Sequence, residues 1–200
     1  MSTIVLDTVQ DRVSSKQVNA LGLAHVWEFV DSLDMSADTV VEFFHDGIDN
    51  AGADLEANYS YKLGFDEIIG TAAAEIRLQL FESGAYRSAS NNYYIQASSQ
   101  TVATASRTSV LATYLYVSTI GATIAQGVQG EAVLHNLGDT SRASRINAFT
   151  QAIPSGSGWM SRVVGVVATG SLNLASTKFK IFPSSGTLTG RVRLYRRLEQ

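Results

Sequence analysis

The 200-residue chain has no cysteine, only two prolines, and no continuous apolar stretch near the ~18 residues that a membrane-crossing helix needs. Without cysteine there is no disulfide framework and no thiolate-ligated metal. No membrane insertion is expected. The start, Met1-Ser2-Thr3-Ile4-Val5-Leu6-Asp7, carries neither a positive leader region nor a long apolar core, so synthesis and folding in a cytoplasm are expected. Charged residues are sparse at 16% against 45% hydrophobic, a balance that excludes a disordered chain.

Motifs that carry chemistry are equally few. His25, His45 and His135 stand at unrelated spacings, and no His-x-Glu or His-Glu-x-x-His pattern offers a zinc site. Gly156-Ser157-Gly158 lacks the Gly-x-Ser-x-Gly spacing of a nucleophile elbow and follows Pro154 in a turn. No Gly-rich phosphate loop with a following Lys-Ser/Thr is present. A non-enzymatic protein with no cofactor is the expectation.

The chain does carry alternation of period two, the mark of strands buried on one face. Glu75-Ile76-Arg77-Leu78-Gln79-Leu80-Phe81-Glu82 is the cleanest case: Ile76, Leu78 and Leu80 face one way and Glu75, Arg77, Gln79 and Phe81 the other. Further strands are expected at 24–30, 39–44, 57–69, from Tyr93, and at 111–117, 131–137, 145–151 and 160–168. Residues 31–38 and the serine- and threonine-rich 98–109 are expected as connectors. This rhythm contains no βαβ unit and predicts an all-β, jelly-roll-like antiparallel β-sandwich over 23–200. Val5, Val9 and Val13, at four-residue spacing, predict a short N-terminal arm or helix over 1–22 that packs on something else, such as a neighbouring subunit.

The last two strands, Lys178-Phe179-Lys180-Ile181-Phe182 and Arg191-Val192-Arg193-Leu194-Tyr195-Arg196-Arg197, flank Pro183-Ser184-Ser185-Gly186 and are expected to pair as a hairpin. Phe179, Ile181, Val192 and Leu194 then enter the core, and Lys178, Lys180, Arg191 and Arg193 form a cationic outer face continued by Arg196 and Arg197.

Charge is also divided along the chain. Residues 1–82 carry a balance of -11 and residues 83–200 one of +8. Three readings follow: an anionic partner for the basic half, like subunits meeting acidic face to basic face, or two halves that interleave and mix their charges in one fold. Nucleic acid is not expected, because the whole chain is acidic and the basic residues lack interleaved aromatics apart from Tyr195. The basic residues are therefore expected to contact protein, either further copies of the chain or other components of an assembly.

Two weaker sites remain. Asp46, Asp49, Asp54 and Glu56, on a Gly-containing loop, offer the hard oxygen ligands that calcium takes, although not at EF-hand spacing. A solvated turn explains the same residues. Trp27, Tyr93, Tyr94, Trp159, Tyr114 and Tyr116 would make a sugar-stacking platform if several shared one exposed face.

One resemblance adds to these readings. Tyr61-Lys62-Leu63-Gly64-Phe65-Asp66-Glu67-Ile68-Ile69, a small-residue gap, Glu75-Ile76-Arg77-Leu78-Gln79-Leu80, then Phe179 to Gly186 and Gly190-Arg191-Val192-Arg193-Leu194-Tyr195 together resemble a family of tailed-bacteriophage virion proteins. The likeness spans residues 59–197 and consists of strand and turn patterns. It implies a jelly-roll sandwich in the virion, as a tail, baseplate, fibre or capsid-decoration component that contacts other virion proteins. It brings no catalytic residues. The chain departs from it by running on through Arg196-Arg197-Leu198-Glu199-Gln200. The alternative expectation is a carbohydrate-binding module that reads a host glycan during adhesion.

Overall fold

The computed structural model describes residues 26–49, 52–72, 74–89, 93–101, 105–120, 124–154, 159–167 and 175–199. The expected arm over 1–22 lies outside them. Among the described residues thirteen strands run in chain order: β1 (Glu28–Asp38), β2 (Val41–Phe43), β3 (Tyr59–Gly70), β4 (Ala74–Glu82), β5 (Ala85–Tyr86), β6 (Tyr93–Thr101), β7 (Ala105–Ala112), β8 (Leu115–Ile120), β9 (Ile124–His135), β10 (Arg145–Pro154), β11 (Trp159–Val167), β12 (Lys178–Pro183) and β13 (Leu188–Leu198). Among the described residues there is no helix, and so none able to cross a membrane.

The strands form two antiparallel sheets, as an all-β sandwich requires. The long sheet has the order β1-β13-β3-β9-β10-β11-β6-β7; the short one has β2-β12-β4-β5, with β8 also paired to β4. Alternation decides which side each strand buries. Ile76, Leu78 and Leu80 of β4 and Phe179 and Ile181 of β12 meet Leu63, Phe65, Val192 and Leu194 of the long sheet in one core. Phe43 stacks on Phe179 at 4.9 Å within the short sheet, and Tyr61 reaches Phe179 from the long one at 6.5 Å.

The C-terminal strands bury the four residues expected of them, but they do not pair as a hairpin. β12 pairs β2 and β4 in the short sheet, whereas β13 pairs β1 and β3 in the long sheet. Residues 184–187 form an arch between sheets, tied beside the short β3–β4 link: Ser184 N donates to Glu75 O at 2.9 Å and Thr187 N to Thr71 Oγ1 at 3.0 Å. Period-two burial fixes the face a strand hides, and an arch satisfies it as well as a hairpin does.

Two expected connectors are also strands. Residues 31–38 continue β1 along β13, with bulges between Phe29 and Asp31 and between Ser36 and Asp38. Within 98–109, residues 98–101 belong to β6 and 105–109 to β7, which pair from Tyr93↔Ala112 to Gln100↔Ala105. The expected strand at 111–117 is broken at residues 113–114, where the chain passes from β7 in the long sheet to β8 in the short one.

A double irregularity marks β3. Glu67 has φ 55°, and the pairing slips on both sides, between Thr189 and Arg191 of β13 and between Phe65 and Ile68 of β3 against β9. The neighbours admit it because both are glycine. A Cβ on Gly190 would stand 2.5 Å from Glu67 O, and one on Gly127 would stand 2.6 Å from Glu67 C. Such a bulge re-aims a side chain, and here the Glu67 carboxylate stands exposed on the outer face.

Candidate functional site

The basic residues expected to share one outer face lie on opposite sides of the sandwich, because their strands belong to different sheets. Lys178 and Lys180 are on the short sheet, Arg191 and Arg193 on the long one. Most are engaged within the chain: Lys178 with Glu42 at 2.7 Å, Arg191 with Asp34 at 2.5 Å, Arg193 with Asp66 at 2.7 Å, and Arg196 with Glu28 at 2.9 Å. All four acids come from the acidic first half, so the two halves do interleave and compensate. Lys180 instead sits over the Tyr86 ring at 4.0 Å, and burial pushes its ammonium below the usual lysine range. Arg197 lies over Trp27 at 4.7 Å.

The acidic loop uses its carboxylates locally. Asp46 accepts the Ala53 N–H at 2.8 Å, Asp49 accepts that of Glu42 at 2.6 Å, Glu56 faces His45 at 3.4 Å, and Asp54 is exposed. Among the described residues no three His, Asp or Glu side chains converge as a metal site needs.

Two histidines join polar clusters. His45 Nδ1 meets Tyr61 Oη at 2.8 Å, Tyr61 Oη accepts the Glu56 N–H at 2.9 Å, and Arg196 donates to His45 O at 3.2 Å. Burial, followed by the Arg196 charge, holds His45 below its ordinary value; burial pushes the Tyr61 hydroxyl well up. Ser60, His135 and Glu199 form a second cluster, with His135 Nδ1 2.7 Å from Ser60 Oγ and 3.0 Å from Glu199 Oε1. The serine and the carboxylate share one ring nitrogen, whereas a nucleophile relay places them on opposite nitrogens. Ser60 is also fully buried, and it donates to Glu199. This triangle fastens the segment after β13 onto β3 and β9. A third cluster is sealed: Glu82 lies 3.3 Å from Arg87 and accepts from Ser176 at 3.0 Å, while burial raises its carboxyl and Arg87 opposes the rise.

Among the described side chains the aromatics do not gather into a platform. Tyr93 is buried and its hydroxyl accepts the Leu80 N–H at 3.0 Å. Tyr114 packs on Arg77 at 3.9 Å, Trp27 lies under Lys62 and Arg197 on the other sheet, and Tyr94 is exposed there. Trp159 begins β11, and its side chain is outside those described.

The outer face of the long sheet carries, beside Tyr94, two residues that the sequence did not single out, Phe149 and Leu111. Phe149 of β10, Tyr94 of β6 and Leu111 of β7 are 52%, 44% and 52% exposed. Their neighbours show the direction: Thr150 is buried and donates to Ser118 of the short sheet at 2.9 Å, so Phe149 points away from it. Tyr94 and Leu111 face each other in register, and the register runs from Tyr94 through Val166 to Arg145. Arg145 is exposed and has no carboxylate within 4 Å among the described residues. The exposed-buried alternation of 145–151 was the available signal, since it puts Arg145 and Phe149 on one side and Ile146, Ala148 and Thr150 on the other.

Nearer the β1 edge of the same face, Asp34, Asp66, Glu67, Ile69, Thr189 and Arg191 line an open cleft of about 470 Å³. Ile69 is 42% exposed there. Asp34 and Asp66 are held by Arg191 and Arg193, and the Arg191 hydrogen bond keeps the Asp34 carboxyl below its ordinary value. Glu67 has no Lys or Arg within 4 Å among the described residues. Comparison with protein-family models finds no match, and comparison with curated proteins finds none either.

Proposed function

We propose that the chain is a non-enzymatic structural protein that works by contact with other protein subunits. The observation that carries this reading is the long sheet's outer face, where Tyr94 and Leu111 stand exposed in register and Phe149 and Arg145 of β10, two strands away, are exposed as well. Exposed apolar residues grouped on a rigid sheet favour protein contact, because burying them against a partner removes them from water at about 25 cal/mol per Å². Rigid strands hold such a surface in place with little ordering cost on binding.

The strand-and-turn resemblance of residues 59–197 supports a more particular form of the proposal, a component of a tailed-phage particle. An antibody to this chain should then label purified particles made from a genome that encodes it. Particles that lack the chain would contradict the virion reading. The glycan reading draws no comparable support, since Tyr93 is buried and Trp27, Tyr94 and Tyr114 are dispersed.

A further inference from the structure

The connection from β2 to β3 returns to the sandwich at a buried polar joint. His45, two residues after β2, is 8% exposed, and Tyr61, inside β3, is fully buried. His45 Nδ1 lies 2.8 Å from Tyr61 Oη, which also accepts the Glu56 N–H at 2.9 Å. The His45 N–H donates to Ala53 O at 3.0 Å. One imidazole and one hydroxyl therefore hold residues 53–56 against the head of β3.

The surrounding charges decide where each proton sits. The Glu56 carboxylate stands 3.4 Å from Nε2, so the ring proton belongs on Nε2 and Nδ1 accepts from Tyr61. Four further groups face the ring from the neighbouring elements. Arg196 of β13 donates to His45 O at 3.2 Å and pairs with Glu28 of β1 at 2.9 Å. Tyr59 of β3 lies edge-on to the imidazole at 4.9 Å, and the adjacent Asp46 accepts the Ala53 N–H.

A second proton on the ring reverses this arrangement. Nδ1 becomes a donor, Tyr61 Oη accepts from both Nδ1 and Glu56, and the hydroxyl's own proton has no other acceptor among the described residues. An unsatisfied buried donor is costly. The new charge also lies near the Arg196 guanidinium, whereas its attraction to Glu56 is weakened by water, since that side chain is 51% exposed. Burial and Arg196 accordingly hold His45 below its ordinary value.

We propose that His45 is an acid-operated fastener, which on gaining a proton loosens residues 53–56 from Tyr61 while the two sheets stay folded. The other backbone ties of this stretch are few, with Leu55 N–H to Thr177 O at 2.9 Å and Tyr59 N–H to Glu56 O at 3.2 Å. β3 itself is paired along both edges, by β13 and β9. The stretch can therefore open without unpairing a strand. Its departure uncovers Leu55, which is 6% exposed when closed, and the Tyr61 ring.

Amide exchange of the full chain from pH 7.5 to 5, corrected for intrinsic rates, tests this beside an NMR titration of the histidine rings. Because the closed ring titrates below 6.5, the opening constant rises as pH falls from there, by up to about tenfold per pH unit, and levels at the His45 midpoint. The expected result is exchange about fivefold or more faster at Leu55 and Glu56, with little change in β4 and β12. In His45→Gln the amide oxygen still accepts the Tyr61 proton, so exchange there should stay slow at every pH. Glu56→Gln, at an exposed side chain, removes the nearest charge that favours the imidazolium and should move the His45 midpoint to lower pH.

Wild-type exchange that ignores pH while His45 titrates would overturn the proposal. An equal rise in β4 would mean global unfolding and overturn it as well. A pH response that persists in His45→Gln would assign the opening to another group, with the same consequence.

Discussion

At the scale of single residues, three positive-φ positions, Glu67, Gly127 and Gly190, meet at one bulge. Gly190 adopts φ 130°, and a Cβ there would meet Glu67 O at 2.5 Å; Gly84 adopts φ 85° with nothing within 4 Å. Backbone strain is common to both positions, but the clash belongs to Gly190 alone. Gly190→Ala should therefore cost about 2 kcal/mol or more in urea unfolding, and Gly84→Ala about 1 kcal/mol. Equal losses would contradict the double bulge. His45 supplies a pH-dependent counterpart. Burial favours its neutral ring, so the folded value lies below the ordinary 6.5. Stability from this group is fully present above pH 6.5 and declines as pH falls from there through the lower folded value. Thermal unfolding followed from pH 7.5 to 5 should show that decline in the wild type and a shallower one in His45→Gln.

At the scale of elements, burial patterns were legible and partners were not. The alternation in β4 and in both C-terminal strands named the correct core residues, because the pleat sends every second side chain to one face. Phe179 illustrates the energetic weight of that reading. It is fully buried, stacks on Phe43 and meets Tyr61 across the sandwich. Phe179→Ala should destabilise by about 3 to 5 kcal/mol, read as a lower urea midpoint. The pairing of β12 with β13 failed for a definite reason. A short Pro-Ser-Ser-Gly link can lay its strands side by side or fold one over the other, and only the rest of the chain decides. Here β3 and β4 cross between sheets beside it, so β13 joins β3 while β12 joins β4. Residues 31–38, 98–101 and 105–109 are strands where connectors were expected, because a polar run in sequence is compatible with a long sheet as well as with a loop.

At the scale of the whole molecule, the charge division of the sequence largely cancels on folding. Glu28, Asp34, Glu42 and Asp66 take up Arg196, Arg191, Lys178 and Arg193. The candidate contact residues had been sought among those cations, since they are the densest in sequence. The fold instead leaves Arg145 and Glu67 exposed and without an opposite charge within 4 Å among the described residues, a difference that sequence density does not reveal. Both lie on the one sheet face that also exposes Phe149, Tyr94 and Leu111.

Sedimentation velocity of the full-length wild type, across a wide range of concentration and at two ionic strengths, addresses the subunit-contact claim directly. Screening acts over about 10 Å at 0.1 M salt, so contacts made partly by charge weaken as salt rises. The expected result is a concentration-dependent passage from single chains to assemblies, shifted toward single chains at high salt. A single-chain species at every concentration and both ionic strengths would contradict self-association.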